Sequence, residues 1–439
     1  MRARYTREIA AAKRRTWQKL VEDADERSIW TVKKYLDKPP SLYYIPIVNN
    51  ATSHRGKTRE LADAFFPPPP VADTSDINDS TVYPDSVHSN PAITMKQIQR
   101  AIDKLSPNKA PGPDEIANIS LKKTFDTASQ DLHALTQASI NISHFPTPFK
   151  ATTTVVIRKP GKPDYTKAKA YRPIALENTL GKLIESVVTE LLSYATENNR
   201  LIPPQHYGGR PGRTGEDAMV MLMERVKHGW KEGACYSAIF MDVAGAFNFV
   251  HHNRLIHNLR KRRVPEFIVR WVRNFLMDRS TRLKFNGVES ESILTNAGVS
   301  QGSPLSPILY MFYNADLLEI PGRRSGVLSL GFIDDIAFGI QGETEEENAR
   351  ELEGMLEKAE RWRERHGARV EESKYVLVHF SKRRKAKETE AVQVRIRDTM
   401  IKPADEAKYL GVFFDRKLSF RQHIQYAAKK GTKFALAIS

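Results

Sequence analysis

A single cysteine, Cys235, in 439 residues excludes a disulfide framework and any cysteine-based zinc knuckle. No run of 18 apolar residues occurs and the N-terminus lacks a hydrophobic signal region, so neither a spanning helix nor a secretory leader is expected, and the chain reads as soluble and intracellular. No internal repeat is apparent, which sets aside solenoids and propellers. Acidic residues are in deficit: 52 Asp and Glu face 68 Lys and Arg, a formal charge of +16. That excess predicts a polyanionic partner, because phosphate neutralisation with counterion release supplies most non-specific nucleic-acid affinity. With 40% hydrophobic residues the chain can bury a sizeable core, and its length suggests about two to three domains.

What is present is a pair of adjacent carboxylates, Asp334 and Asp335, inside an apolar run from Leu330 to Phe338. A third, Asp242, ends another apolar run, Ser237 to Met241, about ninety residues upstream. Burying a bare carboxylate costs several kcal/mol unless a cation or donor meets it. Residues 327–332 and 336–340 read as strands, which puts both aspartates on the tight turn of a β-hairpin at one end of a sheet. Asp242 would end a neighbouring strand, just before the chain turns at Gly245. Three such carboxylates, with no His or Cys among them, form a hard oxygen site suited to Mg²⁺, and such a site can hold two ions for phosphoryl transfer. The pair taken alone is also what a solvated hairpin turn would show.

Residues 1–66 read as a basic amphipathic helix, with Trp17, Leu20, Val21, Trp30, Val32 and Tyr35 among Arg and Lys. Residues 67–93, opening with Pro67 to Pro70 and continuing acidic and polar, are expected to be a disordered linker. Thr94 and Gln97 make a capping box for a helix carrying Ile98, Ile102 and Leu105 on one face. Thr344 and Glu347 do the same for a helix with acids in its first turn, Arg361 to Arg365 in its last, and Gly367 to stop it. Its Leu352, Leu356, Ala359 and Trp362 should face the sheet, to which residues 375–380 return as a strand. Ser306 and Pro307 read as an N-cap and a first-turn proline, and Ser419 with Gln422 caps a last helix bearing Phe420 and Ile424. Strand, strand pair, helix and strand in this order describe an α+β fold. The cationic clusters Arg260 to Arg263 and Lys382 to Lys387 read as a solvated helix end and a loop, with a nuclear signal or a nucleic-acid contact as the alternative. The segment from Gly208 to Gly215 is not a phosphate-binding loop, since its glycine spacing is one short and Arg213 stands where Lys is required.

Several further motifs follow one another along the chain: Lys109-Ala110-Pro111-Gly112-Pro113-Asp114, then Val156-Ile157-Arg158-Lys159-Pro160-Gly161-Lys162, then Tyr171-Arg172-Pro173-Ile174. Gln205-His206-Tyr207-Gly208-Gly209-Arg210-Pro211-Gly212-Arg213 and Asp242-Val243-Ala244-Gly245-Ala246-Phe247 come next, before the run from Gly298 to Pro307 that holds Ser300-Gln301-Gly302-Ser303. Phe332-Ile333-Asp334-Asp335, Ser373-Lys374 and Tyr409-Leu410-Gly411-Val412 complete the order. In sequence and spacing this series resembles the reverse transcriptase of a non-LTR (LINE-type) retrotransposon, over nearly the whole stretch from Lys109 to Leu410.

The resemblance implies an α+β right-hand polymerase: fingers at 94–235, a palm with the catalytic carboxylates at 236–403, and a primer grip with the start of a thumb at 404–439. The helical extension (1–66) and linker (67–93) would precede them. It implies an RNA-directed DNA polymerase that extends a DNA primer on an RNA template with dNTPs, by two-metal nucleotidyl transfer with two Mg²⁺ ions, for which Mn²⁺ could substitute. Asp242, Asp334 and Asp335 would be catalytic, and the metal site would comprise Asp242, Val243, Asp334 and Asp335. Lys159, Arg172, Phe247, Gln301, Gly302 and Lys374 would meet the dNTP, and Tyr409, Leu410 and Gly411 the primer end. Phe247 is implied to lie under the deoxyribose and exclude a 2′-hydroxyl, where RNA-dependent RNA polymerases usually place Asp. Ile333, Asn248 and the Gly209-Arg210 pair depart from the usual family residues without removing a carboxylate. The expected location is the nucleus, with no membrane partner. Endonuclease and ribonuclease H regions are not recognisable in this chain, which makes a truncated, non-catalytic nucleic-acid-binding remnant the alternative reading.

Overall fold

The computed structural model describes residues 44–438 except 244, 323, 325 and 383–390, together with 11, 15–19, 22 and 23. Its first half runs α1 (His54–Phe65), α2 (Met95–Lys104), α3 (Asn118–Asn141), β1 (Ala151–Arg158), β2 (Tyr171–Leu176), α4 (Thr179–Asn199), α5 (Gly215–Lys231) and β3 (Cys235–Asp242). There follow α6 (His252–Lys261), α7 (Glu266–Leu276), β4 (Ser280–Phe285), β5 (Val288–Glu289), β6 (Ile293–Leu294), α8 (Ser306–Glu319), β7 (Val327–Phe332), β8 (Asp335–Gly342) and α9 (Glu345–His366). The chain ends with β9 (Val376–Phe380), the hairpin β10 (Val394–Ile396) and β11 (Thr399–Ile401), the hairpin β12 (Glu406–Tyr409) and β13 (Val412–Asp415), and α10 (Arg421–Ile438).

Strand β3 lies inside a four-stranded antiparallel sheet of order β7-β8-β3-β9, paired with β8 on one edge and β9 on the other. Its side chains alternate between two cores, as a period of two requires. Tyr236, Ala238 and Phe240 pack with Leu222 of α5 and with Tyr409 and Phe414 of the β12–β13 hairpin. Ile239 and Met241 join the larger core that includes Leu309 of α8 and Leu352 of α9. Both faces being covered, the strand interior has no room for a solvated charge, so polar chemistry is confined to the strand ends. That is why an uninterrupted apolar run stops at Asp242.

A second sheet joins β2 to β1 antiparallel and β1 to β4 parallel, with β5 and β6 on β4. It therefore draws on residues 280–294 as well as 151–176, while α5 packs on the four-stranded sheet, so the ranges 94–235 and 236–403 do not divide the two sheets. Among the described residues no helix is long and apolar enough to cross a membrane.

The capping box at Thr94 and Gln97 is fully formed. Thr344 accepts from Glu347 N, but the Glu347 carboxylate takes Glu343 N instead of completing the box. Gly367 ends α9 at φ 60°, and Leu352, Leu356, Ala359 and Trp362 are buried. Four further expectations are corrected. Residues 67–93 contain no helix or strand, yet they form a fastened strap rather than a disordered linker. Asp76 forks onto Arg254 at 2.8 and 2.6 Å, Tyr83 Oη lies 3.0 Å from His257 Nδ1, and Val87 N donates to Arg263 O. Composition alone cannot show that a polar segment answers a guanidinium that α6 holds at 2% exposure. The basic helix of 1–66 is not continuous, because 44–53 is extended or turning before α1 begins, and Leu20, Val21, Trp30, Val32 and Tyr35 lie outside the described residues. Ser306 is the first residue of α8 and not its cap; Leu305 precedes it, and Ser303 Oγ accepts from Leu305 N at 3.1 Å. At the last helix the Ser419 hydroxyl donates to Asp415, whose carboxylate also takes three backbone N–H groups, and Ile424 is exposed.

Candidate active site

At the end of the four-stranded sheet Asp242 stands directly opposite Asp335, and Asp334 occupies the turn between β7 and β8. The turn is Ile333-Asp334, so only one of the two aspartates sits in it; Asp335 already opens β8. Ile333 has φ 61°, a conformation that a β-branched residue adopts only when its surroundings impose it. Those surroundings are specific. The Asn314 side chain, from α8, donates to Ile333 O at 2.6 Å and is itself held by His206 Nε2 at 3.0 Å. Burial lowers the His206 pKa to about 4, so the ring is neutral near pH 7 and donates from Nε2 to the amide oxygen. Tyr207 N donates to Gly331 O, and Gly331 N to Gln205 O. A Cβ on Gly208 would come within 2.7 Å of Ile333 N, so glycine is what lets this segment lie against the turn.

The carboxylates repel one another. Burial raises the pKa of Asp335 to about 6, with Asp334 and Asp242 adding to the rise. Burial also raises Asp334, with Asp242 adding and Arg172 and Lys374 opposing. Lys374 Nζ bonds Asp242 Oδ2 at 3.0 Å and Glu371 at 2.8 Å. Lys159 is lowered by burial and then by the neighbouring cations Arg172, Lys162 and Lys374, with Asp242 opposing. Residues from β2, from the loop after β1 and from the segment before β9 thus bring positive charge to one carboxylate cluster. Among the described residues no three His, Cys, Asp or Glu side chains are gathered closely enough to hold a metal ion as they stand, Asp242 being turned to Lys374. The donor set nevertheless fits a hard divalent cation: three carboxylates, no sulfur or imidazole, and Val243 adjoining, its N–H 3.5 Å from Asp334 O.

Phe247 is half-buried and packs on Tyr310 at 5.4 Å between ring centres. Tyr310 is buried, and its acidity is suppressed by burial first and then by Asp334. Val299 N donates to Phe247 O, and Gln301 O accepts from Ala175 N at 2.9 Å, so one short segment ties the Phe247 backbone at one end and β2 at the other. At Gly302 a Cβ would fall 2.4 Å from Ala175 O; the close approach there is by the chain's own strand. Tyr409 is buried against Phe240 at 5.3 Å, and burial, then Asp335, suppress its ionisation. Leu410 and Gly411 form the β12–β13 turn, with φ 46° and 89°, and Leu410 reaches toward Gly215. Arg210 is structural, forked onto Glu197 at 2.7 and 2.6 Å. Arg260, Lys261 and Arg262 are ion-paired, as a helix end should be, and residues 383–387 of the other cluster lie outside the described residues. Sequence reasoning assigned no role to His206, Asn314, Tyr310 or Glu371. Only the His206-Tyr207-Gly208 motif could have hinted at them.

Residues 157–414 match the family Reverse transcriptase (RNA-dependent DNA polymerase). The chain is similar to a probable RNA-directed DNA polymerase from transposon BS of Drosophila melanogaster, 27% identical over 77% of this chain and 37% of that protein. It is also similar to the RNA-directed DNA polymerase from mobile element jockey of Drosophila funebris, 26% identical over 76% of this chain and 36% of the relative. A Pol polyprotein from the type-1 retrotransposable element R1 of Bradysia coprophila is 22% identical over 97% of this chain and 42% of its own length. The chain thus spans less than half the length of these relatives. The matched stretch contains the whole carboxylate end of the sheet and the cations that face it, and the chain belongs to the reverse transcriptase (RNA-dependent DNA polymerase) family, of the kind found in non-LTR retrotransposons.

Proposed function

We propose that this chain is an RNA-directed DNA polymerase of a non-LTR retrotransposon, with the four-stranded sheet as palm, the β1–β2–β4 sheet as part of the fingers, and α10 as the start of a thumb. The observation that carries the reading is the register of Asp242 against Asp335, with Asp334 in the adjoining turn and Lys159, Arg172 and Lys374 beside Asp242 and Asp334. Asp242, Asp334 and Asp335, with Val243 beside them, are the residues that would hold Mg²⁺. When bound, two such ions supply the charge that favours attack by a primer 3′-hydroxyl and departure of pyrophosphate.

The chain's own residues do the rest. The Asn314–His206 pair fixes the Ile333-Asp334 turn, so that Asp334 is positioned before substrate arrives. Arg172 can fork onto triphosphate oxygens, and Lys159 adds charge on the same side. Lys374 neutralises Asp242 at 3.0 Å and adds its charge to the cationic side of the cluster, where it could meet phosphate. Phe247, rigid against Tyr310, offers an apolar plate to the sugar and no partner for a 2′-hydroxyl. Tyr409 and the Leu410-Gly411 turn stand where a primer end would be gripped. Extension of oligo(dT) on poly(rA) with Mg²⁺ tests the reading: dTTP should be incorporated and preferred to UTP. Binding without extension would make the chain a nucleic-acid-binding remnant, and preference for UTP would contradict the sugar assignment.

A further inference from the structure

Behind the sheet lies a cavity of about 230 Å³, between the strap, α6, α8 and α9. Arg254, Lys261, Lys358, Arg361 and Arg365 line it against two carboxylates, Asp76 and Asp316. Both carboxylates are committed. The Arg254 fork brings the Asp76 pKa to about 2; burial alone would raise Asp316, but Arg262 and Lys261 bring it to about 2. Lys358, Arg361 and Arg365 are exposed and form no ion pair with a described residue. Spaced at i, i+3 and i+7, they share one helix face and extend about 10 Å along it at 1.5 Å per residue.

Part of this charge has a simple cause, since cations in the last turn of α9 meet the negative end of the helix dipole. That does not account for the cavity wall. Trp362 Nε1 and Arg254 Nε, on residues exposed by only 6% and 2%, are buried donors with no hydrogen-bond partner among the described residues. Such orphaned donors in two residues of the wall, beside three cations left without a carboxylate, favour an acceptor-rich, anionic ligand in this cavity. A nucleic-acid strand presents successive phosphates along its backbone, so a row of cations this long is matched better by such a strand than by one small anion. The cavity is separate from the carboxylate cluster. Between them stand Tyr310, which senses Asp334, and Tyr313, whose ring lies 5.0 Å from that of His366.

We propose that this cavity and the basic face of α9 form a second nucleic-acid site, apart from the carboxylate cleft, that takes the backbone phosphates of an RNA strand. The choice of nucleic acid as the polyanion rests on the polymerase reading; the geometry of the site does not. The test is binding of a fluorescent single-stranded RNA of about 40 nucleotides to the full chain over a salt series. The partners compared are Lys358→Gln/Arg361→Gln/Arg365→Gln and a control with equal charge loss elsewhere, Lys96→Gln/Lys104→Gln/Lys123→Gln. The first variant should bind about tenfold or more weakly, and its slope of log K against log[salt] should be shallower by about two, near 0.7 per cation lost. The control should keep more of both, Lys358→Arg/Arg361→Lys/Arg365→Lys should restore both, and extension of a short template-primer should be unchanged. Equal behaviour of variant and control overturns the proposal. So does loss of poly-glutamate binding with RNA binding intact, which would mark a surface for an acidic protein, or extension falling in step with affinity, which would place the three cations in the cleft. If the wild type extends no primer, the polymerase reading fails, while the second site is still decided by the slope.

Discussion

Two groups of carboxylates lie in this molecule, and burial raises the proton affinity of members of both. At the end of the four-stranded sheet are Asp242, Asp334 and Asp335; beneath the Ser300–Ser303 loop are Glu177 and Glu185. The glutamates are 1% and 0% exposed, and each is tied down: Arg279 pairs with Glu177 at 3.1 Å and also donates to Ser300 Oγ, while the Ser303 hydroxyl donates to Glu185. Their remaining oxygens, Glu177 Oε2 and Glu185 Oε1, have no donor among the described residues, a need that one proton shared between them would meet. Asp242, by contrast, is 39% exposed and its described side-chain partner is a single lysine. A raised pKa therefore marks crowding and burial in both places. What separates a reacting cluster from a structural one is an open side and cations that arrive from other elements.

The largest expected effect is at the open cluster. Asp242→Asn should slow extension by about 10²–10³-fold, the scale of losing one preorganised electrostatic group, with the melting temperature little changed. Activity retained within tenfold would make this cluster structural too. Next comes the closed pair: Glu185→Ala strands the Ser303 hydroxyl and the proton on Glu177, and should cost roughly 1–3 kcal/mol in urea unfolding. No loss of stability would show the pair to be dispensable. A smaller, kinetic effect is expected at Arg172→Ala, whose KM for dNTP should rise by about tenfold, or about 1.4 kcal/mol; unchanged nucleotide kinetics would give Arg172 a structural role. The smallest is a pH effect. Because burial raises Glu185 above its ordinary value when folded, its contribution to stability is fully present below that ordinary value and is lost as pH rises toward the folded one. Glu185→Gln should remove that loss, so melting temperatures should favour the variant more at pH 8 than at pH 5. An equal difference at both would mean the carboxyl does not titrate on unfolding.

The open cluster was legible because it breaks a rule: charge inside apolar runs. The pattern of Ser237 to Met241 and Leu330 to Phe338 gave the strands, and the strands gave the convergence of the aspartates, although Asp335 proved to be in the strand rather than the turn. The helix from Thr344 to Gly367 was equally clear, since its cap, charges and stop agree with its apolar face. The closed pair was not legible, because Glu177 and Glu185 flank a helix start where acids are ordinary, and only the fold brings Arg279 and Ser303 to them. The same holds for the strap, where Asp76 and Tyr83 find α6 178 and 174 residues later in the chain, and for Asn314, whose partner Ile333 O is a backbone atom.

The most direct measurement of the central claim is a paired one on wild type and Asp334→Asn, with template-primer affinity and single-turnover dNTP incorporation read on the same samples. The polymerase reading predicts affinity unchanged within about twofold, because it comes from many cations, and incorporation reduced by about 10²-fold or more. Incorporation that survives the substitution, or affinity and incorporation lost together, would contradict it.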